Sequence, residues 1–511
     1  MTNRTARLLL LAIVLAYAGL GALYALRTPA WQAPDEPAHY NYVRYVAEEG
    51  RLPVLAPGDY PAAYLEEIKA RRFPADMSIA PLRYEAHQPP LYYLLAAGVY
   101  RLAAWAGAPT LLALRLFSVL LGALGLLAGY RALRLLFPAD PLIPLGALAL
   151  AGALPQHVAM TAAVNNDVLA EALVALCVWR ALAIAPRGGV ARDGWAPRRA
   201  VGLGLLLGLA FLTKMQSYVG WAVAGWVMAQ DAAQDALRDG ATRATWRARA
   251  GRLLRYGGIA VGTALVVALP WLARNAAIYG LGDPLAMGRH DLVVRGQPTT
   301  AALVAAEGYG GLAVSFLRTT FRSFWGQFGW MGVPLDGRLY QALGMLTGLA
   351  GLGLLLGIVR ARRGEGTAPW PRGAAAVLAV WIGVTTLGYL WWNLRYVQHQ
   401  GRYLFPAILA LGAVGTLGLR EALAAPLRRT LPVLGALLLA LMGLGLWRGS
   451  LPRYPLALVA AAGLGLAGLH LAERVSGRRL TAAAVLGVYA GFWALALWAL
   501  GNVVVPALAP L

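Results

Sequence analysis

Long apolar runs alternate along this chain with short arginine-bearing stretches, and the alternation predicts a series of membrane-crossing helices. The first run, residues 8–26, follows Arg4 and Arg7. It meets the ~20 residues that a helix needs to cross a ~30 Å hydrocarbon core. It reads as a retained signal anchor, because a cleaved signal peptide has a shorter apolar core. Arginines then recur at run ends: Arg131 and Arg134, and the segments 187–199, 238–255, 360–372, 420–429 and 474–479. Placing every cluster on the cytoplasmic side gives about thirteen spans, with the N-terminus inside and the C-terminus outside. One apolar stretch must then be withdrawn from the count. If both 90–107 and 113–132 crossed, Arg131 and Arg134 would face outward and all later clusters would be inverted. The segment 90–107, which carries Arg101, is therefore expected to lie in the membrane plane as an aromatic-rich interfacial helix.

This topology makes residues 27–112 one long external loop and 273–337 a second. The expected class is an all-α polytopic membrane protein. Its catalytic membrane module is expected to be 1–420, including both loops, and the sequence assigns no role to the helices of 421–511. Composition agrees: of 511 residues, 59% are hydrophobic and 13% charged, which excludes a set of soluble domains. The net charge of +22 would suit a nucleic-acid binder, but the arginines punctuate apolar segments rather than form one basic face, so no nucleic-acid partner is expected. The single cysteine, Cys177, allows no intramolecular disulfide.

Candidate chemistry gathers at the external turns. In "APDEPAHYNYVRYVAEEG" (33–50), Pro37 suits the first turn of a helix, so Asp35 and Glu36 are placed at the start of a short helix ending near Glu48. The positive end of that helix favours an ionised carboxylate, which is ready to act as a base. Helix capping is the ordinary alternative for this pair. It is equally the alternative for Asn165, Asn166 and Asp167 in "VNNDVLAE". Lys214, in "LTKMQS" between two short apolar runs, should lie at membrane depth and need an anionic partner. The turn "NLRYVQHQGRYLFP" (393–406) adds Arg395 and Arg402, whose ordinary role would be to anchor helix ends. His39, His87 and His399 could hold a divalent metal with the carboxylates, but no tight ligand spacing supports it. Tyr92 and Tyr93 fit an interfacial belt.

"DEPAHY" (35–40), "HQPPLYY" (87–93), "RLFSVLLGALGLLAGYRAL" (115–133), "LTK" (212–214) and "GRYLFP" (401–406) together resemble the GT-C membrane glycosyltransferases. The likeness is to the bacterial protein O-mannosyltransferase-like and aminoarabinose-transferase-like members, over about residues 8–420. It implies a GT-C-like bundle with in-plane helices in the first external loop, set in the inner (plasma) membrane. It also implies inverting transfer of a sugar, on the external face, from a polyprenyl-phosphate donor to a lipid, glycan or protein acceptor. Asp35 carries over as general base with Glu36 as its helper, and Lys214 as a contact to the lipid phosphate. Arg395 and Arg402 are further candidates for the phosphate. Glu36, His39 and Asp167 would orient sugar or acceptor, His87, Gln88 and Asn166 are further substrate-binding candidates, and Tyr92, Tyr93, Trp325 and Trp330 would flank sugar or prenyl chain. Some relatives place a lysine or histidine directly before Pro-Pro-Leu, where this chain has Gln88 preceded by His87. No Asp-x-Asp motif occurs, so neither metal nor other cofactor is implied. A transporter or flippase of lipid-linked sugars is the alternative, although the two related halves such proteins often show are not evident.

Overall fold

The computed structural model describes residues 2–185, 196–238, 242–365, 370–371, 373–477 and 479–509. Parts of the expected basic clusters at 187–199, 238–255, 360–372 and 474–479 lie outside these. Thr2 caps the first helix, α1 (Asn3–Arg27), by accepting from the Thr5 N–H. Its Leu8, Leu11 and Leu15 point outward while Tyr17, Leu20 and Tyr24 are buried. That is the polarity a bundle needs when its solvent is hydrocarbon. The first loop holds α2 (Glu36–Glu49), α3 (Ala62–Ala70) and α4 (Leu91–Trp105). The core is built by α5 (Thr110–Leu136), α6 (Leu142–Ala153), α7 (Pro155–Thr161) and α8 (Asp167–Ile184). Around these run α9 (Pro197–Phe211), α10 (Tyr218–Arg238) and α11 (Arg243–Tyr279). The second loop carries α12 (Met287–Val293) and leads into α13 (Thr300–Trp325). The chain then continues through α14 (Gly337–Arg362), α15 (Ala374–Asn393), α16 (Ile408–Ala424), α17 (Leu427–Trp447), α18 (Arg453–Ser476) and α19 (Thr481–Ala499).

Among the described residues, ten helices are long and apolar enough to cross a membrane, or up to 11 if the bent pair α6 and α7 forms one span. The 69° bend of that pair falls where Pro155 removes a backbone donor and pushes Leu154 into an extended conformation. The 15-residue α4 is not among the spanning helices, in keeping with the withdrawn segment. The stretch 273–337 differs from a loop, because α13 is itself long and apolar enough to cross. Its Glu307, Arg318 and Arg322, and the break at Gly308 with φ +70°, hide that helix in the sequence pattern.

Packing relies on small residues, as expected where no hydrophobic drive exists between helices. A Cβ on Gly353 of α14 would overlap the Gly418 carbonyl oxygen of α16. The first loop is tied to the second: Arg274 donates to the Leu52 and Pro53 carbonyls, Leu55 N–H donates to Tyr279 Oη, and Arg289 Nε donates to Leu55 O. These bonds order the stretch 50–61 between α2 and α3, which carries no helix or strand of its own. The 421–511 boundary does not mark a separate unit. Tyr24 of α1 donates to the Ala496 carbonyl of α19, and Thr416 and Tyr489 share a 2.6 Å hydrogen bond.

Candidate active site

The site is assembled from five turns. Asp35 precedes α2 with φ +67°, a left-handed conformation that Asp tolerates better than most residues, and its side chain caps nothing. One carboxylate oxygen instead accepts from Tyr84 Oη at 3.0 Å and the other from Arg402 Nη2 at 2.9 Å. Burial alone would raise its pKa. The charges of Arg402 and His39 and the hydrogen bonds from Arg402 and Tyr84 outweigh burial and hold the carboxyl below its ordinary range.

Beside this pair stands a second one, Lys214 Nζ to Asp167 Oδ1 at 2.6 Å. The side chains of Asp35, Asp167, Lys214 and Arg402 keep 25%, 23%, 15% and 13% exposure, so all four remain reachable. Local capping explains how Asp167 is freed. Asn165 Oδ1 accepts from the Asp167 and Val168 N–H groups and so caps α8. Asn166 turns away to donate to Gln88 Oε1 and to the Thr213 carbonyl, joining the Pro-Pro turn to the lysine turn. His39 is buried and shares a 2.7 Å hydrogen bond with Tyr93 Oη. Burial lowers its pKa, which keeps it neutral near pH 7.

Several expected residues go elsewhere. Glu36, 0% exposed, binds Arg115 through both oxygens at 2.7 and 2.6 Å and accepts from the Val164 and Trp31 N–H groups. Arg115 also donates to the carbonyls of Ala25, Thr28 and Pro29. Glu36 is thus a clasp joining α1, α2 and α5, with no free oxygen for a helper role. Arg395, 65% exposed, pairs with Asp291 at 2.6 Å instead of joining the central charges. Tyr92 and Tyr93 are fully buried, on Ser118 and against Tyr42 respectively, so neither lines a lipid belt or flanks a prenyl chain. Trp325 stacks on Phe492, and Trp330 donates to the Trp31 carbonyl while lying against Phe73.

The three histidines weighed as a metal site separate. His39 binds Tyr93, His87 accompanies the Tyr84 carbonyl, and His399 meets Ser315. Among the described residues, no three His, Cys, Asp or Glu side chains converge in a way that could hold an ion. The His87 ring lies 4.6 Å from that of His290, and burial with this neighbour pushes its pKa down to about 3. Tyr84, Glu85 and Tyr403 belong to the central cluster and escaped the sequence reading. Their signal was adjacency: two precede the His-Gln-Pro-Pro turn and one follows Arg402.

The helical membrane bundle shares its fold with a solved structure, and one stretch of its sequence matches a family model. ArnT from Cupriavidus metallidurans bound to undecaprenyl phosphate shares the fold with a TM-score of 0.52 and 17% identity, over 98% of this chain and 78% of that one. Its apo form, at the same score and identity, matches 96% of this chain and 76% of that one. Residues 87–242 match the family model described as dolichyl-phosphate-mannose-protein mannosyltransferase, a stretch that includes Gln88, Asp167 and Lys214. No curated protein sequence matches the chain.

Proposed function

We propose that this chain transfers a sugar from a polyprenyl-phosphate donor to an acceptor hydroxyl on the external face, with inversion at the anomeric carbon. The observation that carries the reading is the pair of adjacent bridges, Asp35–Arg402 and Asp167–Lys214, both partly exposed. ArnT, with the same fold, binds undecaprenyl phosphate, and the matching family model is described by a dolichyl-phosphate sugar. A phosphate entering between the bridges competes with the carboxylates for Lys214 and Arg402. As Arg402 turns to the phosphate, Asp35 loses the charge that depresses its basicity and becomes a better proton acceptor. The acceptor O–H proton passes to Asp35, the acceptor oxygen bonds to the anomeric carbon, and the bond from that carbon to the phosphate oxygen breaks. The polyprenyl phosphate leaves with the electron pair, its charge met by Lys214 and Arg402. Direct attack on the face opposite the phosphate inverts the centre.

The test is binding of undecaprenyl phosphate to purified protein. Lys214→Met should weaken it by about tenfold or more, as expected for loss of a charge-assisted contact, without changing acceptor binding. Unchanged lipid affinity in a folded Lys214→Met variant rejects the phosphate role.

A further inference from the structure

Asp35 and Asp167 each have a cation; a third carboxyl in the cluster has none. Glu85 lies in a short 3-10 turn (Tyr84–His87) that is pinned on both sides, by the Tyr84 hydroxyl on Asp35 and by His87 beside the Tyr84 carbonyl. Its Oε2 is buried and has no hydrogen-bond partner, and among the described residues its carboxyl forms no ion pair. It is close enough for its charge to act on His39, Tyr93 and Lys214, which places it near the two bridges. A buried acceptor left unmade costs free energy, and native structures leave few of them, so the group is set to be satisfied by something that enters.

Building on the phosphate position argued above, we propose that Glu85 is a specificity-determining residue that accepts hydrogen bonds from hydroxyl groups of the donor sugar. The sugar is bonded directly to the phosphate. With the phosphate between Lys214 and Arg402, the sugar is brought beside Glu85, whose charge reaches Lys214. Glu85 has an unused acceptor there, while the buried His39 and Tyr93 already bond to each other. Glu85 therefore reads the glycosylated lipid and is indifferent to the lipid phosphate alone.

The experiment compares the affinity of the parent, Glu85→Gln and Glu85→Ala for undecaprenyl phosphate and for a panel of undecaprenyl phosphates each carrying one neutral hexose or pentose. The parent should prefer at least one sugar-bearing lipid over the bare lipid. Glu85→Ala should lose about tenfold or more of that preference, the size expected of hydrogen bonds to a charged acceptor, and Glu85→Gln should keep part of it through its carbonyl oxygen. Affinity for bare undecaprenyl phosphate should not fall in either, because no contact to it is lost and a negative charge near Lys214 is removed. A preference that survives in Glu85→Ala overturns the proposal, as does a parent without preference or an equal loss for the bare lipid. A parent that fails to bind bare undecaprenyl phosphate overturns the phosphate reading itself, and this inference with it.

Discussion

Asp35 is held in a left-handed backbone conformation that costs of the order of 1 kcal/mol or more, and it spends neither carboxylate oxygen on the helix it precedes. Both oxygens instead face partners on other elements. Asp35→Asn keeps the shape, since Asn also tolerates this conformation, and removes the basicity. Turnover should fall by at least about 100-fold while donor binding persists, measured by single-turnover transfer and lipid binding on the same preparation. Transfer near the parental rate would dismiss Asp35 as base. Its pKa gives a second check. The folded carboxyl binds its proton less readily than the unfolded one, so the Arg402 pair stabilises the protein above the ordinary value of 3.8 and loses that contribution as pH falls through the lower folded value. The acid limb of kcat/KM should accordingly lie below pH 3.8. Glu36 behaves differently, for its charge is consumed by Arg115 deep in the protein. Glu36→Gln leaves that guanidinium uncompensated and should destabilise the fold by about 3 kcal/mol or more, read as a lowered unfolding temperature in detergent.

At the level of elements, α4 decides which residues share a face. It is too short to cross and packs its tyrosines against α2 and α5. Ala106, at its exposed end, and Glu66, exposed on α3, should therefore lie on the same external side. Cysteines placed at either position should react with an impermeant maleimide added outside intact cells; the buried Cys177 does not compete. Labelling of position 106 from the cytoplasmic side alone would invert every later helix and separate the turns that build the site. The crossing of α14 and α16 is set by backbone contact at Gly353. Gly353→Leu should disrupt that crossing and lower the yield of monodisperse protein, because the clash is with backbone that cannot move aside cheaply.

Across the whole molecule, the last helix is part of the core. Besides its bonds to Tyr24 and Thr416, the chain after α19 returns to the first loop, where Arg72 donates to the Ala509 carbonyl. A chain ending at residue 477 should fail to give a folded monodisperse protein by size exclusion, even though every proposed site residue is retained. By contrast, α17 and α18 pack on each other through Leu434, Val459 and Leu466, a satellite of the main core.

Most span positions were legible in the sequence because hydrophobic length acts locally, one segment at a time, although about thirteen spans were expected and ten helices, or up to 11 with the bent pair, are long and apolar enough to cross among the described residues. The motifs around Asp35, Asp167, Lys214 and Arg402 were legible too, as polar residues at turns between apolar runs. Pairing was not. Two adjacent carboxylates look alike in sequence, yet Asp35 faces the reachable cluster while Glu36 is enclosed, because one peptide step on a helix start turns the side chain by roughly 100° toward different neighbours. Arg395 and Arg402 part for the same reason: seven positions of irregular turn carry them to different acids. Which carboxylate meets which cation, and which is left without one, depends on contacts between segments as distant as Asp35 and Arg402, and those contacts exist only once the bundle has closed around them.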